Sequence, residues 1–243
     1  MKQLFANVHS VQTMGTLDGP GIRYVLFLQG CPFRCLFCHN PDTWEGVNND
    51  LKSVDELVED VLKYKSFYDS SGGGVTVSGG EPLLQIPFLT EFFKRLHKYG
   101  IHTAIDTCGH VNLNDKLEKL LKYTDLVLLD IKHLDSEKHK ILTGQNNSKV
   151  LEFLNYINGK KKIWIRQVLT PNYTMDDEYI TGLIEFLKKY EIEKVELLPY
   201  HDMARDKYEK LGMDYRLKDT PIPKKEEINN IKEKFIKNGF NVI

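Results

Sequence analysis

The chain has 243 residues, of which 41% are hydrophobic and 28% charged, with a formal net charge of -1. A chain of this length and balance buries a sizeable core, and lengths near ~250 residues are common for one α/β barrel domain. We therefore expect a single domain over residues 1–243. The small net charge gives no long-range attraction to nucleic acid or anionic lipid. Apolar runs such as YVLFL are far below the ~20 residues of a membrane span, and the N-terminus lacks the apolar segment of a secretory signal. These features predict a soluble, cytoplasmic protein that binds neither nucleic acid nor membrane.

Apolar runs alternate with helical patterns along the whole chain. RYVLFLQG predicts a strand, and SVDELVEDVLKYKSFY then places apolar residues on one helical face behind a capping box of Ser53 and Glu56. The alternation recurs with strands at GVTVSGG, HTAIDT, LVLLDIK, KIWIRQVLT and KVELLPYH. Six such units predict a parallel sheet covered by helices, and six are too few to close an ordinary eight-stranded barrel. We therefore expect an α/β fold, an open partial (β/α)6 barrel of the TIM type.

Reactive and polar residues follow the predicted strands at their carboxyl ends, where parallel α/β folds place their active sites. In chain order they are Cys31, Cys35 and Cys38; Gly79, Gly80 and Glu81; Asp106 and Thr107; Asp130 and Lys132; Arg166; and His201. Lys132 has no evident structural partner, although it and Arg166 could each form an ordinary salt bridge. The recurrence of such residues after all six strands favours one active site.

Three of the four cysteines lie close together in the segment GCPFRCLFCHN. Such crowding does not suit a disulfide framework and, in a reducing compartment, indicates metal ligation or catalysis. A structural zinc site with His39 as fourth ligand is one alternative. A four-cysteine electron-transfer cluster that includes Cys108 is another, although a cysteine at that position is more often a small buried residue. Three cysteine ligands would instead leave one iron of a 4Fe-4S cluster open to bind a further group.

The C-x3-C-x2-C spacing in CPFRCLFC resembles the signature of the radical S-adenosylmethionine enzymes, and SGGEP resembles the GGE element of that superfamily. Over nearly the whole chain, the segments are similar in order and spacing to the glycyl-radical enzyme activases: TLDGPGIRYVLFLQGCPFRCLFCHNPDTW, SGGGVTVSGGEPLLQ, GIHTAIDTCG, TDLVLLDIK, WIRQVLTP and ELLPYH. Many activases carry an inserted ferredoxin-like segment with further cysteines, for which residues 39–52 leave no room. This difference indicates the branch that acts on pyruvate formate-lyase.

The resemblance implies a role for individual residues. Cys31, Cys35 and Cys38 would be the catalytic cysteines that hold a 4Fe-4S cluster, whose open iron is chelated by S-adenosylmethionine. The residues implied to bind that cofactor are Phe37, Cys38, His39, Gly79, Gly80, Glu81, Asp106, Asp130, Ile131, Lys132, Arg166 and His201. A monovalent cation is implied at Asp106, Thr107 and Asp130. Asp18 in TLDGPG is implied to contact the substrate peptide, and the alternative for it is an ordinary Gly/Pro turn with Asp18 as an Asx residue.

The activity implied by the resemblance is an oxidoreductase reaction of anaerobic glucose metabolism. The reduced cluster cleaves S-adenosylmethionine, and the 5′-deoxyadenosyl radical takes a hydrogen atom from a backbone glycine of pyruvate formate-lyase, which leaves a glycyl radical. The electron would come from a donor such as flavodoxin or ferredoxin, and we expect a monomer. The alternatives are an activase of another glycyl-radical enzyme, a radical enzyme with a small substrate, and a non-catalytic zinc or electron-transfer module.

Overall fold

The computed structural model describes residues 3–45 and 50–243. The strands among them are β1 (Phe5–Gly15), β2 (Arg23–Leu28), β3 (Leu51–Ser53), β4 (Gly74–Gly79), β5 (His102–Thr107), β6 (Leu126–Asp130), β7 (Lys162–Leu169) and β8 (Lys194–Pro199). The helices are α1 (Val54–Leu62), α2 (Lys65–Ser71), α3 (Ile86–His97), α4 (Asp115–Leu121), α5 (Ser136–Thr143), α6 (Ser148–Ile157), α7 (Asp177–Leu187), α8 (Arg205–Lys210) and α9 (Lys225–Lys237). None of these described helices combines the length and apolar character that crossing a bilayer requires.

The eight described strands form one sheet in the order β3-β1-β2-β4-β5-β6-β7-β8. β2, β4 and β5 pair in parallel, as do β7 and β8, whereas β1 runs antiparallel to both β2 and β3. The order begins at β3 and ends at β8 without returning to its first strand, so the sheet is open. The predicted class, an open α/β partial barrel of mostly parallel strands with helices, is therefore confirmed.

The described residues form two compact units. The first contains residues 3–32, 43–45 and 50–128, and the second contains residues 33–42 and 129–243. In the first unit α3 lies next to α1 and α4 and buries Leu89, Phe92 and Phe93 completely. In the second unit α7 and α9 bury Ile180 and Phe235 in the same way. The prediction that residues 1–243 form one domain stays a prediction.

Local sequence signals account for the helix starts. α1 begins with the predicted capping box, in which the Glu56 backbone N donates to Ser53 Oγ at 3.2 Å and the Ser53 backbone N donates to Glu56 Oε2 at 2.7 Å. The side chains of Asn114, Asp135 and Asp176 cap α4, α5 and α7. These caps determine where each of these helices begins, and so the length of the loop that precedes it.

The element prediction is wrong in several places. The sequence predicts six strands, and the structure adds β1 and β3 at one edge of the sheet. The helix predicted over residues 53–68 is divided into α1 and α2. The segment after KVELLPYH, which has the composition of a polar loop, contains α8, and α5 has no counterpart among the six predicted strand–helix units.

Candidate active site

Most of the predicted site residues lie at the carboxyl ends of strands, as expected. β4 ends at Gly79, β5 at Thr107 and β6 at Asp130, while Cys31 and His201 come shortly after β2 and β8. Arg166 differs because it lies inside β7. The first unit carries Asp18, Cys31, Gly79, Gly80, Glu81, Asp106 and Thr107, and the second carries Cys35, Phe37, Cys38, His39, Asp130, Ile131, Lys132, Arg166 and His201.

In the first unit, bare backbone from the end of β4 lies beside Cys31. The Glu81 backbone N donates to the Gly30 carbonyl at 2.7 Å. A Cβ on Gly80 would lie 2.1 Å from that carbonyl oxygen and 3.2 Å from Cys31 Cβ, and Gly79 has a φ of +118°. Only glycine meets both requirements without displacing backbone. The result is a glycine cradle, formed by Gly79 and Gly80, that a bound group can approach closely.

The side chain of Glu81 is fully buried and bonded to the protein itself. Its Oε1 accepts from Leu83 N at 2.9 Å and from Thr107 Oγ1 at 2.6 Å, and its Oε2 accepts from Cys108 N at 2.8 Å. Burial raises the pKa of Glu81, although these hydrogen bonds act in the opposite direction. The carboxylate therefore joins the end of β4 to the end of β5. Its implied contact with the cofactor stays a prediction.

Asp106 and Thr107 are the last two residues of β5. Ser78 Oγ donates to Asp106 Oδ2 at 2.7 Å. The Thr107 hydroxyl donates to Glu81 and accepts from Gly109 N at 2.9 Å. Because a hydroxyl oxygen accepts at two positions, Thr107 keeps one lone pair for a further partner. Asp106 and Thr107, the two residues of this unit implied to bind a cation, are thus held in position by hydrogen bonds to their neighbours.

Asp18 lies half-buried in the loop of residues 16–22, between β1 and β2. Its backbone carbonyl accepts a hydrogen bond from Thr76 Oγ1 at 2.6 Å, and Thr76 is a buried residue of β4. This anchor was not predicted, because a threonine inside an apolar strand carries no sequence signal for a distant loop.

In the second unit, the end of α5 holds the loop around Cys35. Arg34 N donates to the Thr143 carbonyl at 2.7 Å, and Leu36 N donates to the Leu142 carbonyl at 2.9 Å. The last carbonyls of a helix have no partner within the helix, so the loop satisfies two of them. The two bonds flank Cys35 and fix its backbone.

The exit of the same loop is bonded to α8, which sequence reasoning missed. Lys207 Nζ donates to Asn40 Oδ1 at 3.1 Å and to Asp42 Oδ1 at 3.2 Å. The pKa of Tyr208 is raised by burial and then by the negative potential of Cys38 and Cys35. α8 therefore contributes one charged and one buried aromatic residue to the surroundings of the cysteines.

The second unit holds two ring contacts among the predicted cofactor residues, one between His39 and His201 and one between Lys132 and Phe37. The ring centroids of His39 and His201 are 4.0 Å apart, and Lys132 Nζ lies 5.2 Å from the centroid of the buried Phe37 ring. Although His39 stays partly exposed, desolvation lowers its pKa to about 4, and the neighbouring His201 adds to the effect. His201 Nδ1 is buried and has no hydrogen-bond partner among the described residues. The pair therefore contains a buried ring nitrogen whose hydrogen-bonding capacity the described residues do not satisfy.

Lys132 and Arg166 both form ion pairs. Lys132 Nζ lies 2.9 Å from Asp130 Oδ2, so the expectation that Lys132 lacks a structural partner is wrong. Arg166 Nε lies 2.6 Å from Glu196 Oε2, and both side chains are buried. Glu196 was missed, although it lies directly opposite Arg166 in the β7–β8 register. The alternative that each cation forms an ordinary salt bridge is therefore correct for both. A ligand that binds here would contact two ion pairs and not two isolated positive charges.

The donor chemistry fits a cluster with three cysteine ligands. Cys31, Cys35 and Cys38 are half-exposed thiols, and thiolates are the ligands that iron–sulfur clusters require. Cys108 differs, because burial raises the pKa of its thiol well above the usual value. Within residues 3–45 and 50–243, no three His, Cys, Asp or Glu side chains stand together in the arrangement of a metal site, so the fit concerns the type of donor and not the positions of the thiols.

Similarity to known proteins extends over nearly the whole chain. The family profile of the radical S-adenosylmethionine (radical SAM) superfamily matches residues 25–186. The pyruvate formate-lyase-activating enzyme of Listeria monocytogenes is 46% identical over 235 residues, which cover 94% of this chain and 95% of that relative. The enzyme of the same name from Staphylococcus epidermidis is 48% identical over 234 residues, which cover 93% of each.

A solved structure agrees with these relatives. A domain of pyruvate-formate lyase-activating enzyme from Bacteroides vulgatus superposes with a TM-score of 0.59 at 26% identity, and the match covers 70% of this chain and 98% of that domain. The chain therefore belongs to the radical SAM superfamily and, within it, to the family of pyruvate formate-lyase-activating enzymes.

Proposed function

We propose that this protein is an activase that installs a glycyl radical in pyruvate formate-lyase under anaerobic conditions. The observation that carries the proposal is 46% identity over 94% of the chain to a pyruvate formate-lyase-activating enzyme. The half-exposed thiols, the glycine cradle and the aromatic cluster of the second unit supply the chemical groups that such an enzyme requires. An activase of another glycyl-radical enzyme would need the same groups, so the partner is tested separately below.

Cys31, Cys35 and Cys38 are the residues we assign to a 4Fe-4S cluster. When bound, the cluster and S-adenosylmethionine supply a 5′-deoxyadenosyl radical through one-electron cleavage of the sulfonium. The chain contributes three thiolates, two backbone bonds that fix Cys35, and the glycine cradle beside Cys31. Cys108 is left out because its side chain is buried and burial raises the pKa of its thiol well above the usual value.

S-adenosylmethionine binding is assigned to groups of both units. In the first unit, Gly79, Gly80, Glu81 and Asp106 would face the methionine end, with Glu81 acting through the neighbours it bonds. In the second, Phe37, His39 and His201 offer ring faces and a buried nitrogen for the adenosine. The assignment also includes Cys38, Asp130, Ile131, Lys132 and Arg166, of which the last three are buried. Charged pairs suit the cofactor, because it carries both an ammonium and a carboxylate.

Asp106, Thr107 and Asp130 are assigned to a monovalent cation, and the oxygens of the first two are held by neighbours. Asp18 is assigned to the substrate peptide, whose target glycine has no side chain to block the approach of the radical. We further propose that the electron comes from a donor such as flavodoxin or ferredoxin, and that the protein works as a cytoplasmic monomer.

Anaerobic reconstitution tests the cluster assignment. The protein is expected to become brown and to bind about four irons, because three cysteines leave one iron open. Cys31→Ala, Cys35→Ala and Cys38→Ala should lose both the iron and the cleavage of S-adenosylmethionine, and Cys108→Ala should retain both. A colourless protein with one bound zinc would contradict the cluster. Equal loss of iron from Cys108→Ala would contradict the choice of ligands.

A further inference from the structure

We propose that Thr76 and Arg23 are positioning residues for the substrate peptide. They fix the loop of residues 16–22, which includes Asp18, against β4. The same strand also carries Ser78, which donates a hydrogen bond to Asp106. The inference rests on the proposed function, because it assigns to these residues an effect on peptide binding.

A buried hydrogen-bond chain connects the loop to the strand. Arg23 Nε donates to Thr76 Oγ1 at 2.9 Å, and Thr76 Oγ1 donates to the Asp18 carbonyl at 2.6 Å. A threonine hydroxyl has a single hydrogen, so accepting from Arg23 directs that hydrogen to Asp18. Both side chains are fully buried, so water does not compete for these bonds. The carbonyl of Asp18 therefore has a fixed partner.

The guanidinium of Arg23 is itself fixed. Its Nη2 donates to the Val75 carbonyl, and its Nη1 lies 3.2 Å from His102 Nδ1. Burial lowers the pKa of Arg23 to about 9, while the charges of Asp125 and then Asp18 act in the opposite direction. Arg23 therefore stays protonated at neutral pH and keeps its donors. A planar fork with several partners cannot rotate without breaking several bonds at once.

The other end of the loop is fixed against the turn after α2. Ile22 N donates to Ser71 Oγ at 2.9 Å. Gly21 has a φ of +63°, and a Cβ there would lie 2.5 Å from the Ser71 carbonyl oxygen and 2.6 Å from Gly73 N. The backbone is therefore packed so closely that only glycine fits. With Asp18 and Ile22 both held, the loop has little freedom left to lose when a peptide binds.

β4 relates this loop to the cofactor side of the first unit. Thr76 and Ser78 are two residues apart in one strand, so their side chains lie on the same face, roughly 6.6 Å apart along the strand. Thr76 holds the Asp18 carbonyl, and Ser78 Oγ holds Asp106 Oδ2 at 2.7 Å. Two neighbouring side chains on one face of β4 thus position Asp18, the proposed peptide contact, and Asp106, a proposed cofactor contact. Such preorganisation saves ordering entropy on binding.

The test compares Thr76→Val with wild type, because valine keeps the shape and removes the hydroxyl. The substrate is a short peptide with the target glycine of pyruvate formate-lyase, and its KM is measured from 5′-deoxyadenosine yield. Valine removes two buried hydrogen bonds, the one that Thr76 Oγ1 accepts from Arg23 Nε and the one that it donates to the Asp18 carbonyl. Loss of the bond to Asp18 should raise that KM roughly three- to tenfold. S-adenosylmethionine affinity and the visible absorption of the reconstituted cluster should not change. Hydrogen exchange of the amides of residues 16–22 should accelerate by a similar factor.

Two further variants separate positioning from general destabilisation. Thr76→Ser restores the hydroxyl and should restore both the peptide KM and the slow exchange of the loop. Thr90→Val makes the same chemical change in α3. There the Thr90 hydroxyl donates to the Ile86 carbonyl of the same helix and, among the described residues, does not join the helix to another element. That variant should leave the peptide KM and the loop exchange unchanged.

The outcomes distinguish this inference from the proposed function. If wild type responds to the peptide and Thr76→Val has the same KM and the same loop exchange, the positioning role is wrong and the proposed function stands. A Thr76→Val protein with weakened S-adenosylmethionine binding, or a Thr76→Ser protein that behaves like valine, also contradicts positioning. If wild type cleaves S-adenosylmethionine but neither the peptide nor the whole partner ever acquires a radical, the proposed function is wrong.

Discussion

Glu81 illustrates, at the scale of single residues, how a buried side chain can support a site through the neighbours that it bonds. Sequence resemblance predicts its place after β4 and a cofactor contact. The structure gives its two oxygens three internal donors, which join Leu83 to Thr107 and Cys108, and the cofactor contact stays a prediction. Sequence could not predict this, because SGGEP alone reads as an ordinary turn. The cost of burying the carboxylate is offset by the hydrogen bonds it accepts.

Glu81→Gln should destabilise the protein by ~1 to 3 kcal/mol, the cost of leaving a buried donor unsatisfied. Each carboxylate oxygen accepts from a backbone N–H, so an amide NH2 must face another donor whichever way it is oriented. Urea unfolding of the apoprotein measures the change. Glu91→Gln is the control, because Glu91 and Lys94 form a weak surface pair at 3.9 Å. Equal stability of the two variants would contradict the structural role of Glu81.

The cations show the same limit of prediction at residue scale. Lys132 follows the end of β6 as the sequence predicts, whereas Arg166 lies inside β7. Their partners Asp130 and Glu196 depend on side-chain geometry and cross-strand register. The pattern of apolar runs predicts which strands exist, but it does not predict which charges meet.

At the scale of elements, burial explains which parts of the fold were predictable. β6 is buried on both faces and therefore appears as a continuous apolar run, LVLL, whereas β4 is equally buried but alternates valine with Thr76 and Ser78. β1 is an antiparallel strand with mixed exposure and two irregularities in its pairing with β2, so its sequence has no clear period. α1 and α2 are separated at Lys63 and Tyr64, where no glycine or proline marks a break. α8 has six residues and one buried side chain, which is too little for a helical pattern.

Gly80→Ala tests the junction between the ends of β2 and β4. Its Cβ would meet the Gly30 carbonyl oxygen at 2.1 Å, so the backbone beside Cys31 must move. We expect the reconstituted variant to lose most of its iron and its affinity for S-adenosylmethionine, measured by iron assay and titration.

Gly182→Ala provides the control for this variant. Gly182 lies in α7 with no atom within 4 Å of an added Cβ, so the change should be neutral or stabilise by up to ~1 kcal/mol. Iron content and affinity like those of wild type in Gly80→Ala would show that the glycine cradle is not required.

At the scale of the whole molecule, sequence similarity to a family and the hydrogen bonds of the structure explain different things. The cysteine spacing and the order of the strand-end segments were sufficient to predict the fold class and the radical SAM family, because both depend on local sequence. The supports of the site were not predictable. The Thr76 anchor of Asp18, the α8 contacts of Asn40 and the buried carboxylate of Glu81 join residues that are 26 to 167 positions apart in sequence.

The central claim, that this chain places a radical on a glycine of pyruvate formate-lyase, is tested most directly by electron paramagnetic resonance. Pyruvate formate-lyase is incubated anaerobically with the reconstituted protein, a reductant and S-adenosylmethionine. We expect a glycyl-radical doublet that grows as 5′-deoxyadenosine forms, and no doublet when the target glycine of pyruvate formate-lyase is replaced by alanine. Cleavage of S-adenosylmethionine at an undiminished rate with no doublet on the intact partner would contradict the claim.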